Sequence, residues 1–143
     1  MHCDTGYLTI EKIRVFVVDE TPEDNPIMGD LMWSDHDILA SMDACARAYN
    51  RLEPHVEHVH ADKLFDFDDM FYNGVAADLY RRTLVKLRRR DIDYQAGDVV
   101  ASVVKARITN FALQQKEHEE KFMTAAQARK LNININAAFG HYS

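Results

Sequence analysis

Three groups of side chains in this 143-residue chain are of types that do chemistry, and their spacing decides what each can do. The first is HVEHVH, where His55, His58 and His60, with Glu57 or Asp62, invite a zinc reading. In an extended segment His58 and His60 share a face and His55 has the opposite parity, so three ligands converge only around a turn. No second cluster stands at ligand spacing, and neither Cys3 nor Cys45 has a neighbouring thiol. The expectation is a solvated, pH-sensitive loop with no metal. The second group, Asp66, Asp68 and Asp69, could supply paired carboxylates for acid–base work or a magnesium site. It stands at the start of a helical pattern, where negative charge complements the macrodipole, and that explains it without catalysis. The third is RRTLVKLRRR, in which Arg81, Arg82, Lys86, Arg88, Arg89 and Arg90 form the best contact site for nucleic acid or another acidic partner. These cations spread around more than one helix face, as expected of a charged helix end paired with Asp91, Asp93 and other carboxylates. The five glycines are scattered, no G-x-S-x-G elbow exists, and His36 has no identifiable partner near Ser34. No catalytic residue, cofactor or enzymatic activity is expected.

The elements that must hold these groups are helical. Phe67 to Arg90 reads as one long helix, apolar in front and basic behind, around which the rest packs. Gly74 costs roughly 1 kcal/mol against alanine inside a helix, so it marks close approach by another helix. Thr9 caps a short helix, IEKIRVFVVD, although Val15 to Val18 could equally be a strand. The linker from Asp19 to Trp33, broken by Pro22, Pro26 and Gly29, crosses the surface and is pinned by Ile27, Met28, Leu31 and Trp33. Ser34 and Asp37 form a capping box for a helix with apolar positions 38, 42, 45, 49 and 52, ended by Pro54. Residues 55–66 make an extended connection anchored by Val56, Val59 and Leu64, and 92–101 is a short hairpin or a plain loop around Gly97. A last helix runs from Ser102 to about Arg129 along Val104, Ile108, Phe111, Gln115, His118, Phe122 and Ala125. Two of those seven are polar, so its second half is expected to project or to meet a neighbouring subunit. In the tail, Leu131, Ile133 and Ile135 alternate with Asn132, Asn134 and Asn136, the period of a strand with one apolar face. With Phe139 and Tyr142 beyond it, this arm suits addition to another molecule, and folding back on its own domain is the plainer alternative.

Composition sets the outer limits. The content of 47% hydrophobic and 28% charged residues is that of an ordinary globular chain, and the length suits one domain burying roughly 68–70% of its unfolded surface. No apolar run approaches the roughly 18 residues of a membrane span, and no signal-peptide pattern opens the sequence, so a soluble protein made in a reducing cytoplasm is expected. A net charge of −6 argues against general nucleic-acid affinity. The division expected is a flexible leader 1–8, a mainly α, antiparallel bundle of about four helices over 9–130, and an extended C-terminal arm 131–143.

In this order the pieces resemble the head–tail adaptor (connector, or neck) proteins of tailed bacteriophages. The resemblance rests on TIEKIR, on DETPEDNPIMGDLMWSDHDI before a capped helix, and on ACARAYNRLEP with its aromatic–Asn pair and proline. It continues through YNGVAADLYRR, LRRRDIDYQAG and the closing KLNININAAFG, from about Thr9 to Gly140. The connection before the central helix lacks the family's proline, and a single glycine stands in the turn at Gly97. The resemblance implies a virion structural protein at the head–tail interface. It would form a ring, a dodecamer in that family, beneath the portal protein, extending the DNA channel without sequence-specific binding and meeting the next neck or tail protein. Leu131, Ile133, Ile135, Phe139 and Tyr142 would then be interface anchors, and Arg81, Arg82, Lys86 and Arg88 to Arg90 would face the channel or an acidic partner. The alternatives are a small DNA-binding or packaging-accessory protein using 81–90, and a tail-terminator or baseplate component.

Overall fold

Thr9 opens the first helix as its cap, its Oγ1 accepting a hydrogen bond from the Lys12 amide at 3.2 Å. The computed structural model describes residues 6–18, 33–93 and 98–138, and the side chains among these outside 90–104. Among the described residues four α-helices stand in chain order: α1, Ile10–Val17; α2, Asp35–Arg51; α3, Met70–Asp93; and α4, Asp98–Ala138. Among the described residues there is no strand, only an isolated antiparallel bridge between Tyr7 and Phe65. The mainly α bundle expected from the apolar spacing is what forms.

The capping box closes α2 as its sequence requires. The Asp37 amide donates to Ser34 Oγ at 3.1 Å and the Ser34 amide to Asp37 Oδ2 at 3.2 Å. Ile38, Met42, Cys45 and Tyr49 then form the buried seam. α3 starts at Met70 and not at the expected Phe67, and Asp68 accepts from that first amide at 2.9 Å, so the acidic cluster serves the helix start. α3 is buried on every side from Asn73 to Leu79, which fixes it as the central element. α2 and α4 both run antiparallel to it: Tyr49 stacks edge-on against Phe71 at 5.2 Å while Lys86 reaches Asp37, and His118 meets Asn73 while Phe111 lies against Tyr80. Gly74 sits where α2, α3 and α4 meet; a Cβ there would lie 2.5 Å from Cys45 Sγ and 2.8 Å from Phe122 Cδ2.

Four expectations are corrected. Residues 131–138 are not extended; they are the last two turns of α4. Propagating an existing helix adds one hydrogen bond per residue without a new nucleus, and this outweighs penalties of up to about 0.7 kcal/mol for each Asn and Ile. The hairpin near 92–101 does not form at its ends, since α3 runs to Asp93 and α4 starts at Asp98; 94–97 lie outside the described residues. The second half of the 102–129 helix does not project. Phe122 and Ala126 are buried because the Phe122 ring covers Gly74, and projection begins only after Lys130. Finally, residues 6–8 of the supposed flexible leader are tied down, the Leu8 amide donating to the Leu64 carbonyl at 2.7 Å and the Asp66 amide to that of Gly6 at 3.0 Å. Of the linker's four anchors only Trp33 is among the described residues; it is buried and its Nε1 donates to Thr83 Oγ1 at 2.9 Å.

Candidate interaction surface

The far end of α4 is where buried and exposed chemistry meet. Continuing by fours from Phe122 along one helix face leads to Ala126 and then Lys130, both fully buried. The Lys130 ammonium donates to the carbonyls of Tyr49 and Leu52 at 2.5 and 2.6 Å and lies 4.5 Å above the Tyr49 ring. Those carbonyls end α2, where a cation complements the dipole and satisfies acceptors left over by the helix. Burial lowers the Lys130 pKa, and Glu57 opposes the shift.

One residue earlier, Arg129 grips Glu57 with two bonds of 2.8 Å, and the same carboxylate accepts from the Tyr49 hydroxyl at 2.5 Å. The guanidinium also lies 4.3 Å above the Phe65 ring. Nearby, Asn50 holds the extended connection, its amide nitrogen donating to the Val59 carbonyl at 2.9 Å and its oxygen accepting from the Val59 amide at 2.8 Å. The aromatic–Asn pair at the end of α2 therefore has a definite role, since Tyr49 and Asn50 bind the 55–60 segment to the bundle.

The hydrogen bonds from Arg129, above all, hold Glu57 below the ordinary carboxylate pKa of 4.5, against the effect of burial. The folded protein then takes up this proton later than the unfolded chain, so the stability Glu57 contributes is complete above about pH 4.5 and is lost as pH falls further. Unfolding free energy is expected to decline as pH falls through and below about 4.5. Glu57→Gln should flatten that decline in denaturant titrations at several pH values; an unchanged slope would contradict the assignment.

Beyond this clamp α4 emerges into solvent. Leu131 and Ile135 are 55% and 42% exposed, while Ile133 is half-buried. Together with Asp68, Ala125, Arg129, Asn132 and Asn136, Ile133 lines an open groove of about 400 Å³. Of the five expected anchors, the structure brings three to this projecting end and separates Ile133 from the other two; Phe139 and Tyr142 lie outside the described residues. Phe67, 68% exposed, stacks on Phe65 close by.

The basic stretch is divided at the other end of the bundle. Arg81 and Arg82 both pair with the buried Asp78, Arg82 at 2.7 Å, and Lys86 lies 3.8 Å from Asp37. Arg88 and Arg89 are exposed with no ion pair among the described residues, and the side chain of Arg90 is not described. Asp78 is the partner that sequence reasoning missed; its signal was a lone acid in the apolar run VAADL with arginines three and four residues on, one helical turn away.

The histidines are dispersed. His58 and His60 lie edge to face at 5.1 Å, and His55 Nδ1 is 3.2 Å from the Asn50 carbonyl. Among the described residues no group of three or more His, Cys, Asp or Glu is placed to hold a metal ion. His118 is stacked on Tyr80 at 5.5 Å and meets the Phe16 ring at 5.9 Å, with Nδ1 2.8 Å from Asn73 Oδ1; burial first, and Lys121 second, lower its pKa while Glu117 raises it. It cements α1, α3 and α4. Burial also raises the pKa of the Cys45 thiol beneath Gly74, which keeps it protonated and unreactive.

No helix among the described residues is long and apolar enough to cross a membrane. No family model, curated protein or solved structure matches this chain.

Proposed function

We propose that this chain is a structural subunit of a bacteriophage neck, a head–tail adaptor whose copies close into a ring beneath the portal and carry the DNA channel towards the tail. The observation that carries the reading is the change at Lys130: it is fully buried, and the next two helical turns hold Leu131 and Ile135 in solvent. Leu131 and Ile135 stand one turn apart on a helix that has left the core, and together they present apolar surface for a neighbouring chain to cover. A closed ring of identical copies needs two different complementary patches on each. The projecting end of α4 contributes to the contact between copies, and exposed Arg88 and Arg89 at the opposite end supply cationic contacts for the channel or an acidic portal surface. The DNA-binding alternative is weakened because Arg81, Arg82 and Lys86 face carboxylates of their own chain.

Ending the chain after Lys130 keeps the clamp and removes 131–143. The shortened protein is expected to stay folded, with helical circular dichroism and a cooperative melt, but to sediment as a monomer and fail to join the portal. Assembly indistinguishable from that of the full-length chain would refute the reading.

A further inference from the structure

Residues 131–138 suit two conformations. Along the chain Leu131, Ile133 and Ile135 alternate with Asn132, Asn134 and Asn136, which gives one apolar and one amide face only in extended backbone. As the end of α4 the same residues scatter that alternation: Leu131 and Ile135 meet solvent, whereas Ile133 shares the groove wall with Asn132 and Asn136. Asparagine and β-branched isoleucine are poor helix formers, and five such residues in succession weaken these two turns. The clamp of Arg129 on Glu57 and Lys130 on the α2 carbonyls sets where unwinding from the C-terminal side would stop.

We propose that 131–138 is a convertible arm, helical in the free subunit and extended in the assembled one, where it pairs edge to edge with the same segment of neighbouring copies. Charge permits another copy as the partner, and the sequence pattern favours it. The whole chain carries −6, yet 131–138 has no ionisable side chain, so here copies approach without like-charge repulsion. The pattern is also self-complementary: identical strands in register set Asn on Asn and Ile on Ile, the ladders that stabilise like-on-like pairing. Among the described residues no strand exists to receive the arm within its own subunit. A closed ring of arms would leave no unpaired strand edge.

The inference deepens the neck reading, on which it rests, by naming how copies join, and it is tested on the full chain. Infrared spectra of concentrated, assembled protein should show an intermolecular-sheet band that dilute protein lacks. The Asn132→Ala, Asn134→Ala, Asn136→Ala triple variant favours helix, keeps every large apolar side chain and removes the amide ladder. It should lose the band and self-associate at least tenfold more weakly. An Asn134→Cys variant should form cross-links between identical positions on assembly, because paired strands run about 4.8 Å apart. Triple-variant assembly equal to the parent's, or no self-association at any concentration, overturns the inference. Closed rings without the sheet band overturn it and leave the neck reading standing. The sheet band without closed rings supports it and counts against the neck.

Discussion

Replacing Gly74 with valine should destabilise the protein by about 2–3 kcal/mol, mostly through overpacking. That corresponds to a drop of roughly 6–10 °C in Tm for a chain of this size. The first added carbon would sit 2.5 Å from Cys45 Sγ and 2.8 Å from Phe122 Cδ2, inside the contact distance of both. Cys45 and Phe122 are themselves buried and Phe122 also faces Phe71 at 6.4 Å, so the room left to them is the pocket of about 100 Å³ that both line beside Gly74. Valine recovers only a few tenths of a kcal/mol in helix propensity relative to glycine, too little to compensate. Gly74→Ala recovers close to 1 kcal/mol and should lose correspondingly less. Calorimetry of the three proteins checks the order; a valine variant as stable as the parent would mean that α2, α3 and α4 do not meet at Gly74.

Lys130→Met should cost about 1–2 kcal/mol, although methionine keeps most of the side chain's length and apolar contact. The loss comes mainly from the Leu52 carbonyl, which accepts from the ammonium at 2.6 Å and would lose that partner, whereas the Tyr49 carbonyl, 2.5 Å from the ammonium, keeps the Leu52 amide at 3.2 Å. An acceptor left unmet in a buried setting costs about 1–3 kcal/mol, and relief from burying a charge returns part of the sum. The consequence should be local as well as global. Amides of Asn50 to Val59, bound to the bundle beside Lys130, should exchange with deuterium faster than those in the middle of α3. Uniform acceleration across the protein would argue against a clamp.

Much of the body is legible in the sequence because each signal is local and stereochemical. Thr9 and Ser34 with Asp37 cap the helices that their positions in the sequence announce, and Asp68 meets the first amide of α3. Gly74 is readable as a point of close approach for the same reason: only a packing demand justifies a glycine inside a helix. The arm misleads because alternation is a preference that a preceding helix can override, and nothing in 131–138 breaks a helix that reaches 41 residues in all. The clamp is hidden because lysine is almost never fully buried, so Lys130 reads as a surface residue although it lies one turn beyond Ala126 on the core face. Asp78 escapes notice likewise, and with it the reason Arg81 and Arg82 are not spare charge.

The body is complete up to Lys130, and on the neck reading the residues beyond it serve to join copies of this chain between head and tail. Reconstruction of a virion neck by electron microscopy tests this most directly. Density for this chain is expected as a closed ring beneath the portal, with residues 131–138 of every copy lying against a neighbouring chain. A ring built from other proteins, or copies whose residues 131–138 contact only solvent, would contradict it.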